Sequence, residues 1–136
     1  MEVLSSRLHV SARDFDRSRE FYEQTLGLRV YREYGVAGRV TGVVFFCGGG
    51  FLELGARDDA SGEPTTTEVV AGVFLWLQVP SLNDEHARLV GAGVDIDVPP
   101  RRMPWGLDEM WIRDPDGLRL VLVEVPATHP LRRRVD

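Results

Sequence analysis

Apolar and polar residues alternate from Ser6 to Ala12, with Leu8, Val10 and Ala12 on one side and Arg7, His9 and Ser11 on the other. That period of two is the mark of a half-buried strand. The period then lengthens: Phe15, Phe21, Tyr22 and Leu26 give the next stretch an apolar helical side. Asp14 or Asp16 can cap this helix, and Gly27 is a sensible stop. Leu28–Tyr34, Arg39–Cys47 and Phe51–Gly55 follow as three strands separated by glycine-rich breaks. The order is βαβββ.

Residues from Ala56 to Ala71 are polar and turn-rich and read as a connection. The pattern then repeats. Val73–Val79 is a strand, Ser81 caps a helix running through Val90, and Gly93 ends it. Val94–Val98 is a short strand, followed by an irregular segment from Pro99 to Gly106. Met110 to Val125 closes the repeat as a hairpin around Asp114-Pro115-Asp116-Gly117, in which Pro fixes the first corner and Gly supplies a positive φ. His9 and Phe74 are matched first-strand positions, Glu53 and Val121 matched last-strand positions; the separations are 44 and 47 residues. The tail, residues 127–136, carries Arg132, Arg133 and Arg134, which read as a solvated end.

Composition narrows the chemistry. A net charge of −5 argues against a nucleic-acid footprint, which needs clustered positive charge. All 16 Lys and Arg residues are Arg, so Schiff-base chemistry and a phosphate-loop lysine are excluded. The run Gly48-Gly49-Gly50 is therefore a turn. Cys47 is alone and reads as a small buried hydrophobe, without a disulfide or thiolate zinc site. No apolar run approaches the roughly 18 residues of a membrane span, and a signal-peptide core is missing from the first residues. The expected location is the cytoplasm, with no nucleic-acid or membrane partner.

Several pieces resemble the glyoxalase / bleomycin-resistance / extradiol-dioxygenase superfamily, the vicinal oxygen chelate fold. They are Arg19-Glu20-Phe21-Tyr22 leading to Leu26-Gly27-Leu28, Leu52-Glu53-Leu54, Ala87-Arg88-Leu89 leading to Gly91-Ala92-Gly93-Val94, and the final Asp-Pro-Asp-Gly. The resemblance implies an α+β fold of two βαβββ modules, forming curled mixed sheets around a cavity with helices on the outer faces. Module one spans about residues 4–56, the linker about 57–71, module two about 72–126 and the tail 127–136, all within a single domain. Many members bind a metal through His or Glu on the first and last strands of each module. Here His9 and Glu53 match that pattern, while Phe74 and Val121 offer no lone pair. Two ligands fall short of the three a catalytic site needs, and His86 and His129 lie on a helix and in the tail. The implied branch is the metal-free, bleomycin-resistance-like one, without a cofactor and commonly homodimeric. Such proteins are often acidic and their drugs cationic, which the net −5 matches.

Parity assigns the side chains that would line the cavity: Arg7, His9, Ser11, Val43, Phe45, Phe51, Glu53, Phe74, Trp76, Gln78, Trp111, Arg113, Val121 and Val123. Trp105 sits on the loop before the hairpin. Aromatics on strands ordinarily fill core. In the second module, however, Val73, Leu75, Leu77, Val79, Met110, Ile112, Leu120 and Leu122 already supply the helix-facing side. Trp76 and Trp111 opposite them suit a planar, apolar small-molecule ligand. His9 and Glu53 read as a polar pair within that pocket, hydrogen-bonded to each other, to Gln78 or to water. His86 reads as a half-buried packing residue. The leading expectation is an antibiotic-like ligand held without metal. The alternative is a lyase, isomerase or dioxygenase with an atypical site at His9 and Glu53.

Overall fold

Each half of the chain folds into an open four-stranded mixed sheet whose last strand lies in its interior, with strand orders β1-β4-β3-β2 and β5-β8-β7-β6. The computed structural model describes residues 1–57 and 72–131, divided between two units, Met1–Glu68 and Val69–Asp136. The expected linker, apart from Arg57, and the arginines of the tail lie outside the described residues. Among the described residues, no helix is long and apolar enough to cross a membrane.

In the first unit, β1 (Arg7–Ala12) leads into α1 (Phe15–Glu20), which continues as a π-helical turn over Phe21–Thr25. Asp14 caps α1 by accepting the Arg17 backbone N–H at 3.1 Å. β2 (Val30–Val36), β3 (Arg39–Cys47) and β4 (Gly50–Ala56) follow, and β4 returns to lie parallel to β1. Leu8, Val10 and Ala12 register with Leu52, Leu54 and Ala56, giving one apolar face.

The turn between β3 and β4 decides which aromatic is core. Cys47 pairs with Gly50, so only Gly48 and Gly49 form the loop, and residues of opposite parity stand opposite each other. Phe45 therefore faces Leu52, and Val43 faces Leu54, on the helix side. Phe45 is fully buried and its ring lies 6.3 Å from that of Tyr22. Expected on the cavity face, Phe45 and Val43 are on the other one; a loop counted as three glycines inverts β3. Phe46 takes the place assigned to Phe45. It contacts Tyr31 and Phe51 at 5.1 and 5.8 Å between ring centres. Cys47, expected to be buried, is only partly so, and desolvation pushes its thiol up.

The second unit runs β5 (Phe74–Gln78), α2 (Leu82–Gly91), β6 (Val98–Arg102), β7 (Asp108–Arg113) and β8 (Arg119–Glu124). Ser81 caps α2 as expected, accepting from Asp84 N–H at 3.2 Å. The Glu124 carboxylate reaches the same end, accepting from Leu82 N–H at 2.8 Å. The third strand departs from expectation: it is Val98–Arg102, not Val94–Val98. Pro99 and Pro100 fall in a register shift between Val98 and Arg101. β6 is an edge strand, where two missing N–H donors are tolerated. The closing hairpin forms around Asp114, whose side chain accepts from Asp116 and Leu118 N–H at 2.9 and 2.8 Å. Gly117 stands at φ 94°, the conformation this turn requires.

The register of β3 makes a direct prediction. Phe45→Ala should lower folding stability by about 3–5 kcal/mol, the cost of emptying a fully packed aromatic site. Phe46→Ala, at a side chain 38% exposed, should cost far less. Denaturant titration of both variants checks the contrast, and equal losses would contradict the register.

Candidate functional site

The first unit carries a polar centre on the face away from α1. His9 and Glu53 are direct neighbours in the parallel β1/β4 pair. They do not hydrogen-bond: His9 Nε2 is 4.0 Å from Glu53 Oε1 and its side chain is 51% exposed. Glu53 is instead held by two residues from other positions. Arg7 donates to Oε2 at 2.7 Å, and the Tyr34 hydroxyl donates to Oε1 at 2.5 Å. Tyr34 reaches it because the sheet beneath is stripped of side chains. Gly42 and Gly55 pair across β3 and β4, and a Cβ on Gly42 would stand 2.0 Å from the Tyr34 ring. A Cβ on Gly55 would meet His9 Nε2 at 3.0 Å.

This arrangement fixes protonation. The hydrogen bond from Tyr34 is the largest influence on Glu53 and holds its carboxyl below the usual range; Arg7 adds to this, while desolvation opposes it. The Tyr34 phenol is pushed up to about 12, first by loss of water around it and then by the bond to Glu53. The centre is thus a carboxylate with both oxygens in use, beside a phenol that keeps its proton.

The second unit presents an aromatic face. Phe74, Trp76 and Gln78 of β5 register with Arg119, Val121 and Val123 of β8, which register in turn with Arg113, Trp111 and Glu109 of β7. β6 adds Val98 beside Trp111 and Arg101 beside Glu109. The middle row therefore reads Trp76, Val121, Trp111, Val98. Val121, Val123, Val125 and Leu107 form a buried apolar cluster against which Trp111 packs. Glu109, only 5% exposed, accepts both neighbouring indole N–H groups, from Trp105 at 2.6 Å and Trp111 at 3.1 Å. Two guanidinium groups lie over the Trp111 ring, Arg119 at 4.8 Å and Arg101 at 6.0 Å from its centre. Arg113 is spent on Asp97 through two bonds of 2.7 and 3.1 Å.

Of the residues singled out from sequence, His9, Phe51 and Glu53 share a face in the first unit, without Phe45. Phe74, Trp76, Gln78, Trp111, Arg113 and Val121 share a face in the second, with Trp105 tied to it through Glu109. The register also corrects the repeat: Val121 pairs with Trp76 as Glu53 pairs with His9, so Trp76, not Phe74, is the counterpart of His9. Tyr34, Glu109, Arg101 and Arg119 were not anticipated. Glu109 was legible, two residues before Trp111 on a strand, had β7 been started at Asp108 rather than Met110. Tyr34 was hidden by the register shifts of β2 on both sides of it.

The Glyoxalase/Bleomycin resistance protein/Dioxygenase superfamily pattern matches residues 6–122. The chain belongs to that superfamily. Among curated proteins, none matches it significantly in sequence. Solved structures share the fold at low identity. TioX from Micromonospora sp. ML1 is 22% identical with a TM-score of 0.70, covering 90% of this chain and 98% of its own. A superfamily member from Sphaerobacter thermophilus DSM 20745 is 23% identical with a TM-score of 0.72 over the same shares, 90% and 98%. A third, from Nocardioides, is 20% identical with a TM-score of 0.72, covering 98% of this chain and 91% of its own.

A divalent metal of the kind the superfamily implies does not fit the residues present. The four matched positions are His9, Glu53, Trp76 and Val121, of which the last two have no donor atom to give. Glu53 already holds a guanidinium. Among the described residues, no group of three His, Cys, Asp or Glu side chains could hold a metal ion.

The electrostatics of Glu53 yield a pH prediction. Its folded carboxyl titrates below the ordinary 4.5, so the unfolded chain binds more protons in the acid range. The stabilisation is complete above the unfolded value and is lost as pH falls through the folded one. Tyr34→Phe removes the largest cause and should raise the Glu53 pKa, as should Gly42→Ala by displacing the ring. Carboxyl-carbon NMR titration of Glu53 reads this directly; an unchanged pKa in Tyr34→Phe would contradict the geometry.

Proposed function

We propose that this protein is a metal-independent binding protein for a planar aromatic, antibiotic-like small molecule, nearest in character to the bleomycin-resistance branch of its superfamily. One observation carries the reading: the row Trp76, Val121, Trp111. Two strand spacings separate the indole-bearing backbones, roughly 9–10 Å, with a short isopropyl side chain between them. Val121 is itself buried, so the surface open to a flat ring is that of the exposed Trp76 and Phe74. Trp76 and Phe74 are 42% and 53% exposed, a costly disposition for large aromatics unless something covers them.

The affinity available is adequate for sequestration. A ligand of roughly 30 heavy atoms at about −0.3 kcal/mol per atom reaches about −9 kcal/mol, a sub-micromolar Kd. The competing reading is a lyase, isomerase or dioxygenase working through His9 and Glu53. It has against it that both Glu53 oxygens are bonded to Arg7 and Tyr34. The proposal extends to a cytoplasmic homodimer, since isologous two-fold contacts are the commonest assembly.

Three measurements test it. Purified protein should hold well under one zinc, iron, manganese or nickel per chain; stoichiometric metal whose removal unfolds the protein would refute the metal-free reading. Sedimentation should return a dimer, and a monomer at micromolar concentration would remove that part. A planar aromatic probe should quench tryptophan fluorescence saturably. Trp76→Ala should weaken its binding by about 1–3 kcal/mol. Leu77→Ala, on the opposite face, should cost about 2 kcal/mol of stability with affinity preserved. Loss of binding in stable Leu77→Ala, with Trp76→Ala unaffected, would sink the reading.

A further inference from the structure

We infer that the molecule taken by the Trp76–Trp111 face is a planar anion, an aromatic acid whose ring lies against the exposed Trp76 and whose carboxylate meets Arg119 and Arg101. The inference rests on the binding reading above and adds the charge of the ligand.

Few charges on this face remain available to a ligand. Glu109 is its one carboxylate among the registered β5–β8 positions. It is buried, and its two oxygens are each occupied by an indole N–H. It orients Trp111 and Trp105; it does not face outward to receive a cation. Arg113 is neutralised in a two-bonded pair with Asp97. Arg102, next along β6, is likewise paired with Asp108. Arg101 and Arg119 differ. Both are exposed, and among the described residues neither has a carboxylate within ion-pair distance; their recorded contact is with the Trp111 ring. They come from the rows on either side of the Trp111 row, Arg119 from that of Phe74 and Arg101 from that of Glu109.

A guanidinium drawn to an indole by cation–π attraction spends none of its N–H groups on a carboxylate and keeps them for a ligand. Carboxylate and guanidinium match two bonds to two, and the stacking leaves less rotamer freedom to lose on binding. The whole chain is acidic at −5; this face presents two unspent positive charges.

The experiment titrates the full-length protein by calorimetry with three probes of one ring size: 2-naphthoate, 2-naphthamide and 2-(aminomethyl)naphthalene in its cationic form. The expected order is anion, then neutral, then cation, with about a tenfold step between the first two at low salt. The step should shrink toward nothing in about 0.5 M salt as screening shortens. In Arg101→Gln/Arg119→Gln the preference for naphthoate over naphthamide should vanish. Equal binding of all three probes by the wild type overturns the charge inference and leaves the aromatic-binding reading standing. Preference for the cation, abolished by Glu109→Gln, also overturns it. No binding of any probe overturns the binding reading itself and the inference with it. Thermal unfolding of each variant, the buried Glu109→Gln included, checks that the fold is intact.

Discussion

A parallel strand pair cannot be closed by a tight turn, so the chain joining β1 to β4 and β5 to β8 must cross over, and here it does so through a helix and two further strands. Everything else in each unit is arranged by that requirement. The last strand arrives between the first and the third, flanked on both sides. Its middle residue, Glu53 in one unit and Val121 in the other, then has a neighbour from each flank in the same row. On the helix face this row is core. On the opposite face it becomes the place where three strands can direct side chains at one point, which is why both candidate centres form there.

How much of this was legible depended on whether a signal was local. Asp14, Ser81 and the Asp114–Gly117 turn act within a few residues, and each does what its sequence suggested. The second unit's faces were readable too, because the longer Asp-Pro-Asp-Gly loop pairs residues of like parity, Trp111 with Val121. The first unit's were not. A loop of two glycines instead of three exchanges Phe45 with Phe46, since every side chain beyond it changes face. Tyr34 was out of reach for a related reason: its position depends on register shifts in β2 and on the Gly42–Gly55 gap, both properties of pairing rather than of any stretch of chain. The strand at Val98–Arg102 was missed because prolines argue against a strand only in a sheet's interior, and order in the sheet is not written locally.

The two centres show one backbone frame put to different chemical ends. The row at β4 holds His9 and Glu53, with Tyr34 and Arg7 closing on the carboxylate. The matching row at β8 holds Trp76 and Val121 with Trp111 beyond. Each unit has a partly or fully buried carboxylate, and each is saturated by its own side chains: Glu53 by a phenol and a guanidinium, Glu109 by two indoles. A buried acid satisfied in this way stabilises a geometry rather than performing acid–base chemistry.

Net charge is a poor guide to the kind of molecule that a single site takes. The −5 of the chain is a sum over positions spread along its whole length, and at physiological salt exposed charges beyond roughly 8 Å are largely screened from one another. What a bound ring would feel is set by groups within a few ångströms of it. On the aromatic face those are two arginines resting on Trp111, since Asp97 and Asp108 are engaged with Arg113 and Arg102 and Glu109 points into its indoles. The acidic total governs solubility and the long-range approach of charged molecules. Under the proposal of an anionic ligand, the choice follows from which charges the fold has left without an opposite.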